Sequence, residues 1–372
     1  MDPIAAVTHP DPYPYYAELV AHRPLHRDEA LGLWVAAGAE AVTAALTSEL
    51  CRVRPPTEPV PRALLGSPAG EIFRHLVRMT DGDVHTRLKP GVAAKIASFD
   101  AARIAEHAAR WARHLTEETS PAAHPDRLAD FAFRLPVYVV ASLLGLAPTA
   151  LEQTAVSVGD FVRCLAPGGT PEQLERGATA AGQLGETFRA LLGRASLDAA
   201  VANSVGYLSQ AYEATAGLVG NTLVALGRHH DVRRRLVAER GLLVAVIREV
   251  VRHDPPVQNT RRFLAREGVV GGQTMREGDA ILVVLAAANR DPTANPEPER
   301  FDPLRRERRA FTFGVGAHAC PGEALATAIA HAGVQQLLDS GLAPERLVEH
   351  LAYRPSANTR IPLFAPPVET PP

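Results

Sequence analysis

Apolar positions recur along most of the chain at the three- and four-residue spacing of helices, and alanine, leucine and arginine are abundant. Strand-like alternation is confined to short pieces. Leu31–Ala36 (LGLWVA) is one, and Ala280–Leu285 (AILVVL), entered by the turn-like Glu277-Gly278-Asp279, is another. Proline and glycine collect in joints near 55–61, 166–171, 255–256 and 292–303. No internal repeat is visible. The pattern predicts one mainly α domain with small β-sheets spanning residues 1–372, with a short N-terminal extension over 1–10 and a C-terminal tail from about 366 to 372.

One predicted helix stands apart. From Ala199 to Gly227 the only charged side chain is Glu213. A helix that is apolar or small all round belongs inside the protein. Its single acid is then a buried carboxylate that needs a partner, solvent or a proton. It is either a core acid reaching a polar pocket or an active-site acid on a central helix. The next helix is amphipathic, and Glu249 and Arg252 lie three apart on one face of it. By itself such a pair is an ordinary ion pair.

Composition narrows the classes. The apolar share of 46% and charged share of 22% are those of a soluble globular protein. A net charge of −2 gives no global pull toward nucleic acid or an anionic membrane. No apolar run approaches the roughly 20 residues that span a bilayer, and the N-terminus lacks a signal-peptide pattern, so a cytoplasmic location is expected. Cys51, Cys164 and Cys320 are far apart, which argues against a disulfide framework or structural zinc.

Cys320 sits in the glycine-rich stretch FTFGVGAHACPGEALA, residues 311–326. It could be an inert thiol, or a nucleophile activated by His318 two residues away. A third use fits the frame better: a thiolate held under a haem iron. Glycines permit close approach to a planar ligand, backbone amides can point at the sulfur, and the helix beginning after Pro321 presents its positive end to the anion.

Phe313-Gly-Val-Gly-Ala-His-Ala-Cys320-Pro-Gly322, followed by Ala326, resembles the haem-binding signature of the cytochromes P450. Other segments resemble that family in the order it requires, from about Asp11 to near the C-terminus. The resemblance implies the family's triangular, mainly helical fold, a haem b cofactor and Cys320 as axial ligand, with Phe313, Gly314 and Gly322 shaping the loop. His85-Thr-Arg-Leu-Lys89, Arg262 and His318 resemble the residues that hold the haem propionates. Glu249-x-x-Arg252, with Arg300 of Pro298-Glu-Arg-Phe301, resembles the family's buried ion-pair network, and Ala288-Asn-Arg-Asp-Pro292 completes the set. The default reaction inserts one oxygen atom from O2 into a small organic molecule of specialised metabolism. Its electrons come from NAD(P)H through a separate ferredoxin or flavodoxin and its reductase. Arg305, Arg306, Arg308 and Arg309 are a candidate docking patch for that donor, or else a solvated charged loop.

The charge-poor helix resembles the family's oxygen-activating helix but departs from its motif. Anchored on Gly220-Asn221, it reads Gln210-Ala-Tyr-Glu213-Ala214-Thr215. The acid is kept, but Ala214 replaces the threonine that helps deliver protons, and a methyl group can neither donate nor fix a water. A substrate hydroxyl or a water could supply the donor. Alternatively the reaction could be an oxidative cyclisation, a coupling or a peroxide-driven oxidation. A register shifted by one, with Thr215 in the role, and a non-catalytic haem-binding protein are the remaining readings. By family topology, candidate substrate contacts are the loop 58–79, the region 161–165, Ala211 with Ala214, and 258–260. The connection between 194 and 198 is very short.

Overall fold

The computed structural model describes residues 1–364 other than 167 and 350, so the expected tail from about 366 lies outside the described residues. The strands are β1 (Leu25–Asp28), β2 (Leu33–Ala36), β3 (Cys51–Arg52), β4 (Thr260–Leu264), β5 (Gly268–Val270), β6 (Gln273–Met275), β7 (Ala280–Val283), β8 (Leu351–Tyr353) and β9 (Pro362–Phe364). The helices run α1 (Tyr13–His22), α2 (Ala39–Thr47), α3 (Pro68–His75), α4 (Gly82–Ala97), α5 (Ala101–Thr119), α6 (Leu128–Leu144) and α7 (Leu151–Leu165). They continue as α8 (Pro171–Leu192), α9 (Ala199–Arg228), α10 (His230–Ala238), α11 (Leu242–His253), α12 (Leu285–Asn289), α13 (Glu323–Asp339) and α14 (Pro344–Leu347). The mainly α class with small sheets is as expected.

One five-stranded sheet has the order β1-β2-β7-β4-β3, parallel only between β2 and β7, and two hairpins pair β5 with β6 and β8 with β9. Both strand-like pieces are shorter than expected. Leu31 and Gly32 are spent on a turn, where Gly32 has φ +66° and the Leu31 amide donates to Asp28 Oδ1. Past Val283 the backbone leaves the sheet, and Leu285 opens α12.

The charge-poor helix α9 is the central element and packs against α6, α7, α8, α11, α13 and α14. Asp198 caps it by accepting from the Ala200 and Val201 amides at 2.9 and 3.0 Å. Its other end needs a glycine: a Cβ on Gly227 would lie 2.5 Å from the Pro344 carbonyl oxygen of α14. Most of α9 is buried, but residues 210–214 are not, although they lie at its middle. A break in burial there marks a hollow inside the fold, since a surface helix would expose one whole face.

The segment 1–10 is no extension. Ala6 and Val7 are fully buried, and the buried Arg360 donates to the Val7, His9 and Pro10 carbonyls while pairing with Asp254 at 2.9 Å. The guanidinium needs acceptors once buried, and the N-terminal backbone supplies them. No helix among the described residues is long and apolar enough to cross a membrane.

Candidate active site

The Cys320 loop is folded as its glycines require. Gly314 and Gly316 have φ of +70° and +73°, which would strain any other residue. The Cys320 amide donates to the Phe313 carbonyl at 2.8 Å, closing the loop. The Gly322 amide points back at the Cys320 sulfur at 3.3 Å, just where α13 begins. Gly322 itself has φ −96°, so its amide, and not an unusual dihedral, is what it contributes. Burial pushes the Cys320 thiol up, opposed by the Gly322 amide and Lys89.

Basic side chains gather beside this loop. Lys89, on α4, donates to the Ala319 carbonyl at 2.9 Å. His85, one turn earlier, lies against His318 with ring centres 4.2 Å apart and the rings tilted by 36°. His318 Nε2 lies 3.2 Å from Asp81, a residue no motif singled out. Burial would raise the Asp81 pKa, but the His318 contact and the Val53 amide outweigh it and hold the carboxyl below its usual range. Arg262 is buried on β4 and donates to its neighbour's carbonyl at 2.9 Å. Burial, with His318 and Lys89 alongside, brings His85 down to about 4, and its Nε2 is buried with no partner. The four expected propionate residues are therefore in one neighbourhood that also holds Cys320.

Across the hollow, α9 presents Tyr207, Gln210, Ala211 and Ala214, spaced to share one face. Tyr207 donates to the Val92 carbonyl of α4 at 3.3 Å, which ties this face to the helix carrying His85 and Lys89. Gln210 is exposed to the hollow and uses one N–H on the Gly206 carbonyl at 2.8 Å, leaving its oxygen and second N–H free. Thr215 is about 100° further round the helix and buried, with its hydroxyl unpartnered. Glu213 turns from the Cys320 side to the C-terminal hairpin, where it accepts from Arg354 at 2.7 Å. Arg354 lies 5.1 Å over Phe133, whose ring contacts Tyr212 at 4.7 Å.

Two sequence expectations need correction behind the loop. Glu249 and Arg252 are fully buried and paired, as expected. Arg300 is not their third member: its side chain is 62% exposed and faces Glu297 and Asp302, and it offers Arg252 only its backbone carbonyl. Arg308 takes the place, donating to Glu249 Oε2 at 2.8 Å, with Arg305 at 3.7 Å and the Asp302 amide at 3.0 Å. Hence Arg305 and Arg308 do not form a surface docking patch. A buried carboxylate draws them inward, and of the four expected arginines only Arg306 and Arg309 remain exposed. A groove of about 830 Å³ lies between α5, α11 and α13 and includes Pro321 and Arg248. It contains none of the expected propionate residues.

The cytochrome P450 family profile matches residues 205–340, which take in most of α9, the Glu249 network and the Cys320 loop. The chain belongs to the cytochrome P450 family. Relatives extend the likeness along most of its length. Cytochrome P450 monooxygenase PikC of Streptomyces venezuelae is 29% identical over 88% of this chain and 83% of its own. The 6-deoxyerythronolide B hydroxylase of Saccharopolyspora erythraea is 28% identical over 86% and 85%. The crystal structure of CalO2 superposes with a TM-score of 0.82 at 25% identity, covering 98% of this chain and 99% of its own. This P450 is accordingly a monooxygenase-type oxidoreductase that uses haem iron, acts on small molecules and relies on redox partners.

The residues present fit a haem. The buried His85 Nε2 has no partner, His318 and Arg262 share the single carboxylate of Asp81, and Lys89 meets only the Ala319 carbonyl and the Cys320 sulfur, so the cluster is short of negative charge. The sulfur has an amide donor of its own, as a thiolate needs. Sequence reasoning missed Asp81, Arg354, Arg308 as a network member, and Arg360. No spacing signal marks Arg354, which lies 141 residues from Glu213.

Proposed function

We propose that this P450 inserts one O2-derived oxygen atom into a small organic molecule of specialised metabolism, and that Cys320 is the thiolate that would hold the iron of haem b. The Gly322 amide aimed at the Cys320 sulfur carries this reading. Bound haem would supply the activation of O2 and the oxidising power to attack a C–H bond. The chain's own residues do the rest. The Gly322 amide and the N-terminal end of α13 stabilise negative charge on the sulfur. His85, Lys89, Arg262 and His318 neutralise the propionates. Phe313 and Gly314 shape the loop, and Glu249, Arg252 and Arg308 brace it from behind.

Proton supply differs from the family pattern. Ala214 offers only a methyl group, and Thr215 faces the core. Gln210, one turn before Ala214 on the same face, has the free amide that can hold a water there. Glu213, the one acid of α9, is held by Arg354 on the side of the C-terminal hairpin and takes part in proton delivery only through intervening solvent. Electrons come from NAD(P)H through a ferredoxin or flavodoxin and its reductase, with Arg306 and Arg309 as the exposed cations available for docking.

Ala214 favours three competing reactions that need less proton delivery: oxidative cyclisation, coupling and peroxide-driven oxidation. Turnover under 18O2, with ferredoxin, reductase and NADPH, separates them. Product carrying one 18O atom is expected; oxidised product without label would overturn the monooxygenase reading.

A further inference from the structure

Arg78 belongs to the short 3-10 turn Val77–Met79 that links α3 to α4. This turn is fastened to α9. Asn203 of α9 donates to the His75 carbonyl at 3.0 Å and accepts from the Val77 amide at 3.0 Å. Leu76 packs where a Cβ on Gly206 would lie, 2.9 Å away. The Thr80 hydroxyl donates to the Val77 carbonyl and closes the turn. Asn203 and Gly206 lie on the face of α9 that continues to Gln210, so Arg78 is held beside the hollow lined by Gln210 and Ala214.

The arginines around it all have partners. Arg74 pairs with Glu71 at 3.4 Å, Arg54 donates to the Pro59 carbonyl and lies over Phe73, and Arg262 donates to the Arg261 carbonyl. Among the described residues, Arg78 makes no hydrogen bond and no ion pair. Its side chain is reachable by solvent, yet burial lowers its pKa and no other charge contributes. The two facts agree if Arg78 lines an internal recess instead of the outer surface, as Cys320 does. Asp81 acts on both Arg54 and Arg262 but not on Arg78, so Arg78 is electrostatically separate from the cluster fitted to the propionates.

A guanidinium held in a recess without a partner leaves its donors free for a ligand, and the turn that carries it is fixed to α9 by Asn203. We propose that Arg78 is a substrate-anchoring residue that binds the carboxylate of an anionic substrate and so orients its carbon skeleton along α9 toward Gln210 and Ala214. This rests on the reading of the hollow as the haem-substrate cavity. An arginine suits the task because its planar fork matches the two oxygens of a carboxylate.

The test uses wild-type holoenzyme, Arg78→Gln and Arg78→Lys, titrated with decanoate, dodecanoate and phenylbutanoate and with the methyl ester of each, read as the Soret shift. Wild type is expected to bind at least one acid about 10- to 100-fold tighter than its ester, the range of a charged hydrogen-bonded contact. Arg78→Gln brings acid and ester to parity without weakening the ester, and Arg78→Lys keeps part of the preference. Ligand-free Arg78→Gln holoenzyme is expected to melt at or above the wild-type temperature, since the change breaks no hydrogen bond or ion pair among the described residues. The proposal is overturned if no acid is preferred by wild type, or if the preference survives in Arg78→Gln. It is also overturned if Arg78→Gln loses haem or melts lower, which would make Arg78 a structural or propionate-binding residue. The reduced-CO spectrum of both proteins separates this outcome from failure of the axial-ligand reading, which would remove the thiolate band from wild type and variant alike.

Discussion

Glu249→Gln is expected to lower unfolding free energy by about 3–5 kcal/mol and to cut haem retention sharply, while Arg300→Ala changes neither. Glu249 has no exposed surface, and its two oxygens receive the Arg252 guanidinium, Arg308 Nε and the Asp302 amide. Glutamine has the same shape but no charge, and its amide group would face donors. Two buried guanidiniums would lose their counter-charge, which is far worse than never having buried them. A domain's whole stability is only about 5–15 kcal/mol, so the loss is a large fraction. Arg308→Ala should fall between the two, because Arg252 still pairs with Glu249. Arg300 is mostly exposed, and pairs of that kind contribute at most about 1 kcal/mol. Denaturant midpoints and haem content check the series. If Arg300→Ala proved as damaging as Arg308→Ala, the network drawn here would be wrong.

Gln210→Ala is expected to raise the peroxide released per NADPH consumed by about tenfold, and Gln210→Ala with Ala214→Thr to recover much of the lost coupling. A positioned proton donor contributes on the order of 100-fold or more to a proton-transfer step. In this helix the group on the cavity face that can hold a proton-carrying water is the Gln210 amide, since Ala214 has no polar atom and the Tyr207 hydroxyl is taken by Val92. Threonine at 214 places a hydroxyl one turn from the lost amide, on the same face. The measurement is the ratio of peroxide to NADPH with any ligand that shifts the Soret band. Unchanged coupling in Gln210→Ala would remove Gln210 from proton delivery. Failure of threonine to rescue would show that position 214 does not face the reacting atoms.

Much of this site was legible in the sequence because its chemistry is local. The positive φ at Gly314 and Gly316 and the amide on the Cys320 sulfur are properties of one loop. Likewise His85 and Lys89 sit one helical turn apart, and the lone acid of α9 announced an unusual central helix. What failed depended on which way a side chain turns. Arg300 sits in the expected motif yet contributes its carbonyl, whereas Arg305 and Arg308, read as part of a surface run, point inward. A run of arginines looks the same from sequence whether or not a carboxylate 59 positions away is buried beneath it. The Glu213–Arg354 pair and the fastening of residues 7–10 by Arg360 join distant parts of the chain, so no local pattern could reveal them. The hollow at residues 210–214 became visible only as a break in burial.

The central claim is that Cys320 is a thiolate ligand to haem iron, and the reduced-CO difference spectrum of purified holoenzyme tests it most directly. The wild-type band is predicted at the thiolate-ligated position, with Cys320→Ala losing that band even where haem is retained. A wild-type band away from that position, or an unchanged spectrum in Cys320→Ala, would contradict the account.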